Sequence, residues 1–108
     1  MKVKKQSVNF QKKKAILDVV GSIPSGFVST YGIVASLANF SGSARYVGWV
    51  LSGLPLDTPI PWHRVINSKG KISPRSDGGD HRLQRDLLEA EGIKFCGGRV
   101  DMSKYCWK

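Results

Sequence analysis

Pro61-Trp62-His63-Arg64-Val65 is the stretch on which the reading of this chain turns. An indole, an imidazole and a guanidinium follow a proline in immediate succession. The indole offers a flat aromatic face and a single N–H donor. It can stack on a base or fill an apolar pocket, but it cannot act as a nucleophile. Just upstream, Pro55, Pro59 and Pro61 rule out regular helix and make a stiff connection that fixes the stretch in place. Just downstream, Val65-Ile66, Asn67-Ser68-Lys69-Gly70 and Lys71-Ile72 read as strand, turn and strand.

Working outward, the apolar spacing is mostly helical. Ala15, Ile16, Val19 and Val20 give one face to a helix over 9–20, which Gly21 ends. Ile23-Pro24-Ser25-Gly26 is a turn, and Phe27-Val28 a short extended segment. Thr30 caps a helix over 31–39 whose buried face is Ile33, Val34, Leu37 and Ala38. Asn39-Phe40-Ser41-Gly42 interrupts it. Ser43 starts a second helix to residue 51, carrying Ala44, Val47, Gly48 and Leu51. Two short helices across a small-residue turn suggest a helix-turn-helix; simple helix packing is the alternative that spacing leaves open. After a loop over 73–79, Asp80 caps a helix to Glu91, with Leu83, Leu87 and Leu88 facing inward and Gly92 as its stop. The tail beyond is expected to be irregular or extended. The fold class expected is mainly α with a small β component, as one domain over 1–108.

A chain of 108 residues with 41% hydrophobic content can bury a core, and that content argues against wholesale disorder. No apolar run is long enough to cross a bilayer, and the basic start lacks the apolar segment of a secretory signal. A cytoplasmic protein with no membrane partner is expected. The net charge is +9, and the first 14 residues hold six lysines and no acid. That charge favours a polyanionic partner, without choosing DNA over RNA or a membrane surface. Cys96 and Cys106 lack the spacing of a metal site, and His63 and His81 are the two imidazoles. Reduced thiols, no metal and no cofactor are the expectation.

Four motifs in order carry a family resemblance over about residues 10–95. Ile23 to Gly32 fits the pattern Ile-Pro-x-Gly-x-Val-x-x-Tyr-Gly; Arg45 sits in a helix of small residues; Pro61 to Val65 follows; and Leu87 to Gly92 fits Leu-Leu-x-x-Glu-Gly. The chain resembles the alkyltransferase-like DNA-repair proteins, relatives of the O6-alkylguanine-DNA alkyltransferases. The transferases read Pro-Cys-His-Arg-Val, and their cysteine thiolate accepts the alkyl group. Trp62 holds that place here.

The resemblance implies a winged-helix-like domain that recognises O6-alkylguanine in double-stranded DNA without enzymatic repair. It binds the minor groove, rotates the nucleotide outward and flags the damage for nucleotide-excision repair proteins; a monomer, associated with DNA, is expected. Arg45 is the implied finger, filling the space of the extruded nucleotide; a phosphate contact or a surface salt bridge is the alternative. Tyr31 approaches the phosphate beside the target, with packing beneath the helix as the alternative. Ser29 and Thr30 are read first as caps and second as DNA contacts. Ser43, Ala44 and Gly48 allow close approach to DNA. Trp62, Arg75 and Ser76 make the lesion pocket, with a core position for Trp62 and a phosphate contact for Arg75 as the alternatives. His63, Arg64 and Glu91 are supporting residues: His63 and Glu91 match the transferases' accessory pair, and Arg64 braces the loop or contacts phosphate. Leu54-Pro55 departs from the transferases' Asn-Pro. A sequence-specific winged-helix regulator is the competing function, and an active alkyltransferase is a further one that Trp62 argues against.

Overall fold

The computed structural model describes residues 8–55, 57–72 and 81–108. The loop expected over 73–79 and the cap expected at Asp80 lie outside these residues. So do the pocket positions Arg75 and Ser76. The described elements are helices α1 (Val8–Ser22), α2 (Tyr31–Leu37), α3 (Ala44–Ser52), α4 (His81–Ala90) and α5 (Met102–Tyr105), with strands β1 (Ser29–Thr30), β2 (Val65–Ile66), β3 (Phe95–Cys96) and β4 (Arg99–Val100). A 3-10 turn over Trp62–Arg64 leads into β2.

The core falls into two clusters on either side of a short parallel pair, in which Ser29 opposes Val65 and Thr30 opposes Ile66. Strand residues alternate faces. Val65 therefore joins a cluster of Ile16, Val20, Ile23, Val34, Ala35, Val47, Val50 and Leu51, and Ile66 joins Val28, Leu88, Ile93 and Val100. The first cluster unites α1, α2 and α3 as a helical bundle. The second seats α4 and the C-terminal hairpin. The β1–β2 pair thus ties the start of α2 directly to the end of the Pro61–Arg64 stretch.

Helix ends follow from local chemistry. The Thr30 hydroxyl accepts from Ile33 N at 3.1 Å and caps α2. Asn39 takes φ 69°, a left-handed conformation that asparagine tolerates. Asn39 N donates to Ser36 O and Phe40 N to Ala35 O, closing α2 with paired Schellman bonds. Gly92, at φ +91°, does the same for α4: its N–H reaches Glu89 O, and Ile93 N reaches Leu88 O. Ile93 and Leu88 also pack together in the second cluster, the apolar contact this motif favours.

Several expectations need correction. Lys71-Ile72 does not form a strand with Val65-Ile66. The Asn67 side-chain oxygen accepts from Lys69 N and Lys71 N, so the segment coils around that amide. Gly70 O instead accepts from Val100 N at 2.9 Å, and β2 pairs with β1. The tail is more ordered than expected, with the β3–β4 hairpin, α5 and a bridge from Cys106 to Val28. On α2, Leu37 is exposed and Ala35 is buried. Val34 and Ala38 are buried as expected, so the inward face of this segment runs through 34, 35 and 38, with Leu37 on the other side. α1 continues through Gly21 to Ser22.

Candidate DNA-binding and lesion-recognition site

The polar centre of the molecule is Glu91. The Schellman turn at Gly92 fixes its backbone, and the helical spacing 84, 88, 91 puts it on the same side of the α4 end as Gln84 and Leu88. One carboxylate oxygen accepts from Gly26 N at 3.2 Å and from Arg64 Nε at 3.0 Å. The other accepts from Arg64 Nη2 at 2.7 Å and lies 2.7 Å from His63 Nε2. Arg64 Nη1 donates to Ile23 O at 2.7 Å. This one guanidinium therefore joins α4, the 3-10 turn and the loop after α1, and these are the contacts of a brace.

Burial pushes the Glu91 carboxyl up, but the hydrogen bonds from Arg64, His63 and Gly26, with the His63 charge, pull the other way and prevail. The result is a pKa of about 2. Glu91 is an anion at neutral pH, and a charge-assisted pair with Arg64 is the strong form of such a contact.

Gln84 was not singled out from the sequence. It is buried on α4 and donates to His63 O at 3.1 Å and Val65 O at 3.0 Å. A glutamine at an inward position, one turn before Leu88, was the available signal. Its amide pins the backbone of the 3-10 turn. Trp62 sits at the start of that turn. Its ring packs against the three-helix cluster while staying partly exposed, and it meets His63 edge-on at 6.1 Å and 86°. The indole is thus held between core and surface above a fixed polar base.

On the helix-turn-helix side, Arg45 is exposed in the first turn of α3, with no ion pair among the described residues. Ala44 and Ser43 are half-buried beside it, and Ser43 occupies the N-cap position without a side-chain hydrogen bond. A Cβ built on Gly48 would lie 3.8 Å from the Tyr31 ring, so Tyr31 and Gly48 adjoin across α2 and α3. Arg45, Tyr31 and Gly48 therefore share one region.

Ser29 departs from its expected place. It is fully buried, its hydroxyl finds no hydrogen-bond partner among the described residues, and it caps nothing. Thr30 is 6% exposed and its hydroxyl is spent on the α2 cap. β1 carries both residues into the core, so neither hydroxyl is presented to a DNA phosphate in this conformation.

Neither thiol enters the hydrogen bonds described for Glu91: Cys96 is exposed in β3 and Cys106 lies in the bridge to Val28. No group of His, Cys, Asp and Glu side chains suited to a metal ion occurs among the described residues. No described helix is long and apolar enough to cross a membrane. An open cavity of about 690 Å³ lies between α4 and the C-terminal hairpin, lined in part by Arg82, Arg85 and Phe95. It does not coincide with the region of Arg45 or Trp62.

The family described as 6-O-methylguanine DNA methyltransferase, DNA binding domain, matches residues 10–93. The chain belongs to this family. Within it, the chain is an alkyltransferase-like protein. It is 47% identical over 94 residues to the DNA base-flipping protein of Vibrio parahaemolyticus (serotype O3:K6, strain AQ3810), covering 86% of this chain and 92% of that one. It is 39% identical over 98 residues to alkyltransferase-like protein 1 of Schizosaccharomyces pombe (strain 972), covering 86% and 91%.

Its fold matches the crystal structure of S. pombe Atl1 in complex with damaged DNA containing O6-carboxymethylguanine. The TM-score is 0.87 at 35% identity, over 95% of this chain and 99% of that one. The Mycobacterium tuberculosis OGT in complex with DNA matches at TM-score 0.67 and 32% identity, over 80% of this chain and 51% of that one. The mainly helical, winged-helix-like architecture with small β elements is therefore that of the alkyltransferase DNA-binding domain.

Proposed function

We propose that this chain binds duplex DNA through α2 and α3, recognises O6-alkylguanine with the nucleotide rotated out of the stack, and does not transfer the alkyl group. The observation that carries this reading is Trp62. It stands at the head of a turn whose polar support, His63, Arg64 and Glu91, is fully assembled, yet it brings an indole where the transferases bring a thiol. Thiolate chemistry needs sulfur at that point. The indole contributes area and rigidity instead, which serve retention of a flipped base.

Arg45 supplies the finger. Extrusion of a base costs a few kcal/mol and less at a damaged pair, and a guanidinium placed in the vacated stack offsets part of that cost. Tyr31, Ala44, Ser43 and Gly48 form the surface around it. Arg75 and Ser76 complete the lesion pocket, Arg75 by stacking on or donating to the extruded base. The bound complex marks the lesion for nucleotide-excision repair proteins. The S. pombe Atl1 complex with O6-carboxymethylguanine DNA and the base-flipping name of the Vibrio relative support this reading.

The test incubates the protein with duplex carrying O6-methylguanine labelled on its methyl group, and compares binding of that duplex with an unmodified one at one ionic strength. The lesion duplex is expected to bind more tightly, with the label remaining in the DNA. Label on the protein would overturn the non-enzymatic assignment. Equal affinities would overturn lesion recognition and favour a sequence-specific binder. In the same assay Arg75→Ala is expected to lower the ratio of the two affinities. An equal loss on both duplexes would make Arg75 a backbone contact.

A further inference from the structure

Trp49 is 67% exposed, the highest value among the large hydrophobic residues described. A tryptophan is usually well buried, and this one stands on α3 one turn after Arg45. Residues four apart on a helix share a face. The burial of α3 agrees: Val47, Val50 and Leu51 point into the core, whereas Arg45, Trp49 and Ser52 point outward. The exposed indole and the exposed guanidinium thus form one stripe.

The ring is held in position. Tyr46 stacks on it with centroids 5.7 Å apart and an interplanar angle of 28°. The Lys12 ammonium lies 4.5 Å from the Tyr46 centroid and 5.5 Å from that of Phe40, a cation–π arrangement that brings positive charge from α1 to the edge of the aromatic pair. Lys13 and Lys14 follow on α1, and neither α2 nor α3 contains an acidic residue. The acid of α1, Asp18, is paired with Lys14 at 3.1 Å. A pre-ordered apolar ring in a cationic field suits the sugar–phosphate backbone, whose sugars offer apolar surface between phosphates. Ordering the ring in advance lowers the entropy cost of the contact.

We propose that Trp49 is a further DNA-contacting residue, its ring lying on the deoxyribose backbone to one side of the base pair that Arg45 probes. The four-residue step along α3 spans about 6 Å, roughly two nucleotides along one strand. This inference rests on the reading that α3 faces DNA.

The test uses the full chain with Trp49→Ala, Trp49→Phe and Lys12→Ala. Binding is measured to duplexes carrying guanine or O6-methylguanine, across a salt series. Trp49→Ala is expected to weaken both complexes equally, by roughly tenfold, with the lesion preference retained. The slope of log affinity against log salt stays the same, because a neutral contact releases no counterion. Trp49→Phe retains most of the affinity. Lys12→Ala gives the contrasting signature, a slope smaller by about one.

A fold-independent measurement uses the wild-type sequence labelled with 5-fluorotryptophan. The ¹⁹F resonance absent from Trp49→Phe belongs to Trp49, and it should shift when duplex is added. Unchanged affinity in Trp49→Ala, or an unmoved Trp49 resonance, overturns this inference while leaving the proposed function standing. Retained DNA binding with altered sedimentation of the free protein would assign the ring to a protein contact, which also overturns it. Failure of the wild type to bind either duplex overturns both readings.

Discussion

Glu91→Gln tests whether the carboxylate's charge, rather than its shape, holds the site together. Glutamine keeps the length but offers one acceptor oxygen and an NH2 group that faces other donors. Arg64, with its side chain 17% exposed, then lacks a counter-charge. The Glu91 pKa of about 2, against an ordinary glutamate value of about 4.3, corresponds to roughly 3 kcal/mol of preference for the ionised form. Glu91 is 14% exposed, and solvent screening reduces this to roughly 2 kcal/mol. The misdirected amide and the unpaired guanidinium bring the expected loss to about 2–3 kcal/mol at pH 7. For a domain of this size that is a fall of roughly 10–20 °C in Tm.

The pH dependence has a definite sign. The folded pKa lies below the unfolded one, so the unfolded chain takes up the proton first as pH falls. The contribution is complete above about pH 4.5 and is lost as pH approaches about 2. Urea titrations of both proteins at pH 7, 5 and 3 measure the gap, with the denaturant slope checked for constancy. The gap should be full at pH 7 and 5 and visibly smaller at pH 3. A gap below about 0.5 kcal/mol at pH 7, within the range of ordinary surface substitutions, or one that does not narrow toward pH 3, would refute the charge argument.

Gly70→Ala should destabilise the protein by roughly 2–4 kcal/mol in the same titration, because φ is +79° and a Cβ would lie 2.6 Å from Val100 O; a loss under about 1 kcal/mol would mean the C-terminal hairpin yields at little cost. Ser29→Ala removes a buried hydroxyl with no partner among the described residues and should be neutral or stabilising by up to about 1 kcal/mol, with unchanged DNA affinity; weaker DNA binding would show that the hydroxyl reaches DNA after all. Arg45→Ala should leave the melting curve in place, since Arg45 is exposed. It should weaken binding of O6-methylguanine duplex and reduce the signal of a fluorescent base analogue opposite the lesion. An unchanged signal would remove Arg45 from the finger role.

The helices were legible because their signals are local. The spacing of Ile16 and Val20, the Thr30 cap and the Gly92 stop each act within a turn or two of chain. The strands were not, because their partners are distant. Val65-Ile66 is followed by Asn67-Ser68-Lys69-Gly70, a sequence suited to a hairpin, yet its partner is Ser29-Thr30, some 36 residues earlier. Parallel pairing carries no turn signature. The same limit applies to the site. His63, Arg64 and Glu91 were visible through resemblance, but not that Glu91 is bound to all of Gly26, His63 and Arg64, nor that Gln84 fastens the turn from beneath. Ser29 reads as a surface hydroxyl in sequence, and the β1–β2 pair buries it. Trp49 carried no motif at all, and its meaning comes from exposure beside Arg45.

The polar network around Glu91 ties three segments of the chain together. The Glu91 carboxylate is held by a backbone N–H from the loop after α1 and by two side chains of the 3-10 turn, and its own N–H donates to Leu88 O at the helix end. Removing Arg64 or Glu91 leaves the other as a partly buried charge without its counter-ion. Trp62 meets this arrangement through its ring, which lies edge-on to His63 and packs against the helical core, and its backbone N–H donates to Ile60 O at 2.8 Å. The charged hydrogen bonds of the network are carried by His63, Arg64 and Glu91, whereas position 62 presents an aromatic ring to it. Trp62→Cys distinguishes scaffold from chemistry for this reason. It should leave the pH-dependent contribution of Glu91 in place and place a thiol above an intact His63–Glu91 pair. If the variant instead loses the narrowing of its stability gap with Glu91→Gln between pH 5 and 3, the indole is part of the brace and the separation of roles fails.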